Sequence, residues 1–480
     1  QRSGTENMAG IAALGAVLAA LEEGDVFRSH GALSAYRDRL ADALREAFPG
    51  IVFNAPFEHA LPTTINFSVP GLASRDLLDL FDAAGVRVSA GSACSAAKAA
   101  PSYVLMAMGL PEERAASAVR MSFGPQVDEA FIDEACARIA SAGKALRATA
   151  LAPLPHHDDA GVGLYQLSAE GRSGWLLFDA QDASCVAIDP PAPLVPRLAA
   201  LVRSHGYGLR AVVGTGADPL FCRAHAALGA ELGALPGSDD PAWPWAGDSV
   251  RLGDGATVPC VPIGRGVLAK VVDGDRASYL FGVPQQDELP ATAVRYAFTG
   301  SAAAPGCAGN LTSSRLREAV QRLAMIINAG TLLCGASDEQ GIPCTTTAAL
   351  AQGRDELAAL VALQPLLSRS APPGMGSVAD LAPHALERFL QTHPDAILVD
   401  VREPAEHAAR AATLHGRAVV SVPLTRLAEQ AAHWLRGEPK PLVLFCRSGN
   451  RSARAVHCLH RLGYPQAWHV AGGLALAQTN

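Results

Sequence analysis

The chain has 480 residues, of which 49% are apolar and 18% charged, and this composition excludes an intrinsically disordered protein and predicts two to four globular domains. The formal net charge of −7 argues against nucleic acid or an anionic membrane as a partner, and no charge-free apolar stretch approaches the length of a membrane span. Ten scattered cysteines without a Cys-x-x-Cys pair predict neither a disulfide framework nor structural zinc, so we expect a reducing, cytoplasmic compartment.

The first segment, residues 1–150, alternates helical and strand-like patterns. Helices are predicted at Met8–Leu21, Val26–Phe48 and Arg75–Ala84, and strands at Thr63–Val69 and Val86–Val88. The last strand leads into a loop of small residues that contains Cys94. Because little in this loop can pack, we expect the loop to be exposed and flexible; the alternative is a cysteine that only fills space.

Four motifs follow one another through this segment. They are Arg2-Ser3-Gly4-Thr5-Glu6-Asn7, Gly91-Ser92-Ala93-Cys94-Ser95, Pro101-Ser102-Tyr103-Val104-Leu105 with Gly109-Leu110, and Val119-Arg120-Met121-Ser122-Phe123-Gly124. With these motifs the segment resembles the C-terminal part of the pyridoxal-phosphate-dependent cysteine desulfurases, which have PLP-transferase fold type I. The resemblance implies that Cys94 takes sulfur from cysteine as a persulfide, that Arg120 pairs with the substrate carboxylate, and that Thr5 reaches the cofactor phosphate across a dimer interface.

The lysines depart from that family. None of Lys98, Lys144, Lys270 and Lys440 stands in the Ser-x-His-Lys setting in which the family forms its Schiff base. Without that imine, carbon–sulfur cleavage has no electron sink. We therefore expect no pyridoxal phosphate in the chain as given, and desulfurase activity only if a lysine-bearing N-terminal half is supplied. Because the chain starts at Gln1 within a domain pattern, we expect a partial coding sequence; a homodimer is possible by resemblance.

The second segment, residues 155–365, alternates runs that predict an α/β domain with two sheets. Helices are predicted at Pro196–His205 and Ala224–Leu232, and strands at Gly174–Asp179, Cys185–Asp189, Leu209–Val213, Val258–Ile263, Gly266–Val272 and Ala277–Phe281. With Val186-Ala187-Ile188-Asp189-Pro190, Phe298-Thr299-Gly300 and Pro305-Gly306-Cys307, this order resembles the metallo-β-lactamase-like domain of persulfide dioxygenases. The resemblance implies an αββα sandwich.

That family's metal ligands are missing from the sequence. Where the family has His-x-His-x-Asp-His, the chain reads Gly214-Thr215-Gly216-Ala217-Asp218-Pro219, and the later ligand positions correspond to Gly264, Ser301 and Ala336. One carboxylate and one hydroxyl do not make a catalytic iron or zinc site. We therefore predict a domain without metal, with Asp218 as a turn or capping residue, and a solvated linker at His156-His157-Asp158-Asp159.

The third segment, residues 377–480, contains an apolar run at Pro441–Phe445 that predicts a buried strand leading directly into Cys446. A helical pattern begins shortly after the cysteine. A cysteine in that position lies among unpaired backbone N–H groups at the positive end of the helix dipole, which favours the reactive thiolate, as do Arg447 and Arg451. Ser448, Gly449 and Asn450 complete the residues that an anion cradle needs. An inert buried cysteine is the alternative.

This loop resembles the active-site loop of the rhodanese sulfurtransferases, in which the cysteine carries a persulfide. Four residues separate Cys446 from Arg451, which is that family's spacing, whereas related phosphatases have a loop one residue longer. The strand Ile397–Glu403, with Asp400 and Arg402 in supporting roles, and His469-Val470-Ala471-Gly472-Gly473 extend the resemblance. His415-Gly416-Arg417-Ala418 departs from the family's Gly-His-Ile-Pro-Gly-Ala. The resemblance implies a parallel α/β sheet.

These features predict an α/β multidomain sulfurtransferase with domains at 1–150, 155–365 and 377–480. We expect sulfane sulfur to move through persulfides, with Cys446 as the rhodanese-type carrier and Cys94 as the desulfurase-type carrier; whether the two exchange sulfur stays open. The expected partners are small-molecule or protein thiols and persulfides. One alternative is a catalytically decayed scaffold or binding protein in sulfur metabolism. Another is an active persulfide dioxygenase, which would bind iron.

Overall fold

The computed structural model describes residues 6–69, 72–90, 102–149, 162–169, 172–216, 219–233, 245, 247–273, 276–300, 323, 325–328, 330–336, 344–346 and 380–477. The chain divides into two compact units, residues 1–149 with 408–410 and residues 150–407 with 411–480. Among the helices of the described ranges, none is both long and apolar enough to cross a membrane. The predicted linker at His156–Asp159 lies outside the described residues.

The first unit contains a four-stranded antiparallel sheet in the order β1-β2-β4-β3. Its helices are α1 (Met8–Glu23), α2 (His30–Ala47), α3 (Ser74–Ala83), α4 (Tyr103–Ala107), α5 (Glu112–Ala116) and α6 (Glu129–Thr149), and its strands are β1 (Val52–Phe53), β2 (Thr64–Ser68), β3 (Ser89–Ala90) and β4 (Val119–Ser122). Helix α2 begins after Ser29, whose side chain accepts the Ala32 N–H, and packs against α6. The rings of Phe48, Phe67 and Phe81 meet in the core.

The strand predicted at Val86–Val88 forms instead at Ser89–Ala90, because these two residues pair with Arg120 and Val119. The predicted bounds of this strand were therefore wrong. The other four elements predicted for this unit are confirmed to within about four residues at their ends, as boundaries read from sequence usually are.

The middle of the chain forms two sheets. The first, β5-β6-β7-β8, comprises β5 (Val162–Ala169), β6 (Arg172–Asp179), β7 (Ser184–Ile188) and β8 (Gly208–Val213). The second has the order β13-β9-β10-β11-β12-β14-β15-β16. Its strands are β9 (Ser249–Leu252), β10 (Thr257–Ile263), β11 (Gly266–Asp273), β12 (Arg276–Gly282), β13 (Glu288–Leu289), β14 (Val294–Gly300), β15 (Leu332–Gly335) and β16 (Cys344–Thr346).

Side chains that alternate along the first sheet separate two cores. Leu177 faces the second sheet and shares a cluster with Phe281 and Phe298, whereas Leu176 faces helices α7 (Val195–Ser204) and α8 (Pro219–Leu232). The far face of the second sheet packs against Leu323, Ile326 and Ile327. The layer order is therefore helix, sheet, sheet and helical residues, as the resemblance implied.

The C-terminal region is a five-stranded, all-parallel sheet in the order β17-β21-β20-β18-β19. The strands are β17 (Asp380–Leu381), β18 (Ile397–Asp400), β19 (Val419–Ser421), β20 (Leu442–Phe445) and β21 (Ala467–Val470). The helices are α9 (Leu386–Thr392), α10 (Pro404–Ala409), α11 (Leu427–Arg436), α12 (Asn450–Arg461) and α13 (Leu474–Ala477). Both faces of β20 are buried, which explains its unbroken apolar sequence. The predicted α/β multidomain fold class is confirmed.

Candidate active site

Cys446 lies directly after β20, and α12 begins four residues later at Asn450. The carboxyl end of a parallel strand followed by a helix N-terminus brings backbone N–H groups towards the same point. Gly449, the residue before the helix, has a φ of 90°, a left-handed conformation that glycine adopts at little cost. The loop therefore closes tightly around Cys446, whose exposed fraction is 1%.

Two groups contact the sulfur of Cys446. The Gly449 N–H donates a hydrogen bond to Sγ at 3.2 Å. The Ser452 hydroxyl lies 3.6 Å from Sγ and 3.0 Å from the Gly449 carbonyl oxygen, so it has a choice of two acceptors. Both contacts come from the N-terminal end of α12, one from the residue before the helix and one from its first turn, where the helix dipole favours negative charge. The surroundings thus suit a sulfur that carries negative charge.

The segment that contains Gly472 and Gly473 packs against the backbone of the cysteine loop. The N–H groups of Leu474 and Ala475 bind the carbonyl oxygens of Cys446 and Arg447 at 2.9 and 3.0 Å. Gly473 has a φ of +57°, and a Cβ there would overlap the Cys446 carbonyl oxygen. Glycine at 473 is therefore required both by its backbone angle and by close backbone approach.

Arg451 is held by a carboxylate from another helix. Its guanidinium donates to the two oxygens of Glu406 at 2.5 and 2.8 Å, and the two side chains are 14% and 3% exposed. Glu406 also accepts the Glu403 N–H at 2.9 Å, which caps the start of α10. One carboxylate thus fixes both the helix end and the arginine of the cysteine loop.

Glu403 lies next to this ion pair and is half-buried. Burial raises the pKa of its carboxyl to about 7, and the negative charge of Glu406 acts in the same direction. The Thr425 hydroxyl, which donates to Glu403 at 2.8 Å, and the charges of Arg451 and Arg197 oppose that rise. The carboxyl therefore changes its charge near neutral pH.

Asp400 and Arg402, predicted as supporting residues, form a buried two-point pair with a shortest distance of 2.8 Å. The His407 ring lies 3.0 Å from the same carboxylate. Burial by itself would raise the pKa of Asp400, but the hydrogen bonds from His407 and Arg402 lower it below its ordinary value. The pair ties the end of β18 to the start of α10.

The remaining predicted residues of the loop differ in exposure. Ser448 and Asn450 are exposed, Arg447 is half-buried, and Gly449 is buried. The structure therefore brings Gly449 and Ser452 to the Cys446 sulfur, holds Arg451 on Glu406, and leaves two polar side chains at the surface. The binding roles of Arg447, Ser448, Gly449, Asn450 and Arg451 stay predictions.

In the first unit, Arg120 lies on β4, paired with Asn66 on one side and Ser89 on the other, and its side chain is exposed. Strand β3 ends at Ala90, four residues before Cys94 in sequence. Ser89 of this strand is paired directly with Arg120. Cys94 and Thr5 themselves lie outside the described residues, and their roles stay predictions.

The lysines of the described ranges do not fit a Schiff base. Lys144 is exposed on α6, the Lys270 ammonium lies 5.1 Å from the centre of the Trp245 ring, and Lys440 precedes β20 in the C-terminal region. Lys98 lies outside the described residues, and the absence of covalently bound pyridoxal phosphate stays a prediction.

The positions that the resemblance matches to metal ligands make other contacts here. Gly264 has a φ of +54°, and a Cβ there would overlap the Asp179 carboxylate, so a larger residue would strain the backbone and displace that side chain. Thr215 binds Asp189 through its N–H and its hydroxyl at 2.8 and 2.7 Å. Within the described ranges, no group of three His, Cys, Asp or Glu residues could hold a metal ion. Asp218 and Ser301 lie outside those ranges, and the absence of a metal stays a prediction.

The sequence did not predict the role of four residues: Ser452, which contacts the Cys446 sulfur, and Thr425, Glu403 and Glu406, whose hydrogen bonds lead to Arg451. A signal existed for Glu406, because Glu403-Pro404-Ala405-Glu406 places a proline at the first position of a helix and a glutamate at the third. That pattern predicts a helix start but gives no hint of Arg451. Nothing local to Thr425 indicates its contact with Glu403.

Two protein families match the two ends of the chain, in agreement with the resemblances stated for those segments. Residues 1–134 match the aminotransferase class-V family and residues 382–478 match the rhodanese-like domain. A putative cysteine desulfurase from Bacillus subtilis is 40% identical over 126 residues, which are 26% of this chain and 33% of that protein. The chain thus spans about a third of the length of this relative.

Solved structures with similar parts include ETHE1 from Myxococcus xanthus, at 22% identity, 41% of this chain, 84% of that chain and a TM-score of 0.29. A rhodanese homologue from Thermus thermophilus is 31% identical over 20% of this chain and 95% of its own, with a TM-score of 0.15. Because both TM-scores are low, these likenesses carry no argument about the fold. The architecture of the middle segment rests on its own sheet order. The chain carries an N-terminal region similar to cysteine desulfurases and a C-terminal rhodanese-like domain.

Proposed function

We propose that this chain is a sulfurtransferase in which Cys446 carries sulfane sulfur as a persulfide. The observation that supports this most strongly is the position of the Cys446 sulfur, which accepts the Gly449 N–H at the start of α12 in a loop with rhodanese spacing to Arg451. A persulfide is an anion at its outer sulfur, and backbone N–H groups at a helix N-terminus stabilise such an anion.

The proposed reaction has two displacements. The Cys446 thiolate attacks the outer sulfur of a donor such as thiosulfate, the sulfur–sulfur bond of the donor breaks, and sulfite leaves with the electron pair. An acceptor nucleophile, such as cyanide or a thiolate, then attacks the outer sulfur of the persulfide. The Cys446 thiolate leaves and is restored. No external oxidant or reductant is consumed.

A thiosulfate-to-cyanide transfer assay tests the proposal. Cys446→Ser should abolish transfer, because serine cannot form a persulfide at this position. Cys136→Ser is the matched control, since Cys136 is a half-buried cysteine of the first unit that is remote in sequence from the loop. The control should keep wild-type activity. Equal activity of Cys446→Ser and wild type would overturn the proposal.

For the first unit, we propose the coarser role of a persulfide donor, with Cys94 as carrier and Arg120 as the group that pairs with a substrate carboxylate. The support is the desulfurase-like sequence and the register that places Ser89, five residues before Cys94 in sequence, beside Arg120. Because the described lysines do not fit a Schiff base, sulfur would reach Cys94 from a partner or a supplied N-terminal half. Arg120→Lys should lower sulfur loading of Cys94 in such a reconstituted mixture.

A further inference from the structure

The short helical turn Leu424–Arg426 lies between β19 and α11 and contacts both the middle segment, at β5, and helix α12 of the cysteine loop. Its two neighbouring residues Thr425 and Arg426 make different connections. Thr425 points to the carboxyl of Glu403, and Arg426 points to the interface with the middle segment. The turn is thus a physical link between two parts of the second unit.

On the side of the middle segment, Arg426 and Glu429 form a buried pair. Their side chains are 2% and 8% exposed, and the closest contact is 2.7 Å. Glu429 also accepts the backbone N–H of Leu164, on strand β5, at 2.9 Å. The guanidinium of Arg426 lies 5.2 Å from the centre of the Phe178 ring, on β6. A charged pair of the rhodanese-like domain thus satisfies an N–H of the middle segment.

Apolar packing continues this interface. Leu427, Ala431 and Leu435 of α11 belong to the same buried cluster as Leu164 and Leu177 of the first middle sheet. A second polar contact joins Arg461, at the end of α12, to the Cys344 carbonyl oxygen at 2.9 Å. The interface is therefore a continuous apolar core with polar contacts at several points, unlike a loose contact between tethered domains.

On the side of the active site, three hydrogen-bonded contacts connect the turn to Arg451. Thr425 donates to Glu403, the Glu403 N–H donates to Glu406, and Glu406 holds Arg451 in the cysteine loop. Arg197, on α7 of the middle segment, also acts on the charge of Glu403 and binds Tyr165 of β5 at 3.3 Å. Both sets of contacts therefore connect the middle segment to the Glu403 carboxyl.

We propose that the middle segment is a built-in positioning partner of the sulfurtransferase site, and that Arg426 and Glu429 act on the Cys446 loop through the turn at 424–426 and Glu403. The inference rests on the proposed function of Cys446. It gives the middle segment a role that needs no metal: its β5 edge fixes the turn, and the turn fixes the groups that hold Arg451. Arg426 and Glu429 are positioning residues, since neither contacts the sulfur.

A double-mutant cycle tests this coupling. Glu429→Gln keeps the shape of the side chain but leaves the Arg426 charge buried without its counter-charge. Glu403→Gln removes the carboxylate to which the turn connects. Each single variant should lower kcat/KM about tenfold, and the double variant should be little worse than either, because residues in one network are not additive. Glu288→Gln, in the exposed pair with Arg251, is the matched control and should combine with Glu403→Gln multiplicatively.

The second readout is the rate at which iodoacetamide alkylates Cys446 in the folded full chain, followed on the Cys446 peptide. This rate reports the geometry of the loop even if no sulfur donor is accepted. To guard against misfolding, the Arg426→Met/Glu429→Met variant removes both charges together, which buried pairs often tolerate. It should fold, as judged by a cooperative thermal transition, and still change the alkylation rate.

The outcomes separate the two proposals. Suppose that the wild type transfers sulfur, that the effects of Glu429→Gln and Glu403→Gln on kcat/KM multiply, and that neither variant changes the alkylation rate. The proposed coupling is then wrong, whereas the proposed sulfurtransferase function stands. If wild type transfers no sulfur, the proposed function is wrong, and the alkylation rates alone decide the coupling. A changed rate of Cys446 alkylation in Glu429→Gln, together with an unchanged rate in Glu288→Gln, supports the coupling.

Discussion

Glu406 and Arg451 lie 45 positions apart in sequence and form a two-point ion pair at 2.5 and 2.8 Å. The pair joins the first turn of α10 to the first turn of α12, and so connects the ends of β18 and β20. The pair also engages Arg451, which the sequence predicts to be a substrate-binding residue. The position of this arginine is therefore set by a carboxylate.

Glu406→Gln is expected to lower both stability and sulfur transfer. Removing one partner of a buried pair leaves a charge without compensation, at a cost of roughly 3 kcal/mol. Free energies of unfolding from urea titration, and kcat/KM with thiosulfate, are the measurements. Glu134→Gln breaks an exposed pair with Arg138 and should cost less than about 1 kcal/mol. Equal losses in the two variants would contradict the role given to Glu406.

Gly473→Ala tests the close approach beneath the loop. The added methyl would overlap the Cys446 carbonyl oxygen and would also strain a left-handed backbone, so we expect a loss of more than about 3 kcal/mol and inactive protein. Gly463→Ala separates the two effects, because Gly463 has a φ of +88° but open space around it. That control should cost about 1–2 kcal/mol and keep its activity.

The raised pKa of Glu403, about 7, predicts a specific dependence of stability on pH. In the unfolded chain this carboxyl titrates near its ordinary value of about 4.3, so between these values the folded state binds more protons. The stabilisation is complete below the unfolded value and is lost as pH rises towards 7, by at most about 1.4 kcal/mol per pH unit.

Free energies of unfolding from pH 4 to 8 should therefore show a smaller decline in Glu403→Gln than in wild type. Glu387→Gln, an exposed glutamate of the same domain, is the control and should keep the wild-type slope. Asp400 acts in a different window: its lowered pKa contributes stability above the unfolded value, which is lost as the solution becomes more acidic. Identical slopes in wild type and Glu403→Gln would contradict the burial of this carboxyl.

Much of the cysteine loop could be predicted from sequence because its determinants are local. An apolar run that ends at Phe445, a cysteine, a glycine before the helix and an arginine at a fixed spacing specify strand, turn and helix in one stretch. The Asp400 and Arg402 pair is also local, two residues apart at a strand end. Local hydrogen-bond geometry left few alternatives for these residues.

The interface between the middle segment and the rhodanese-like domain could not be predicted in the same way. Strand β5 was missed altogether, although six of its eight residues are buried, because Val162–Ala169 is neither strictly alternating nor rich in β-branched residues. The partner of its Leu164 N–H, Glu429, is 265 positions away. Contacts of this kind depend on how sheets pack, and a residue pattern read along one segment carries no signal for them.

Mass spectrometry of the Cys446 peptide, after the protein has been exposed to thiosulfate, decides whether Cys446 carries sulfur. We expect this peptide to gain the mass of one sulfur atom, cyanide to remove that sulfur with release of thiocyanate, and the corresponding peptide of Cys446→Ser to gain nothing. A Cys446 peptide that stays unmodified while thiocyanate is still produced would contradict persulfide transfer through Cys446.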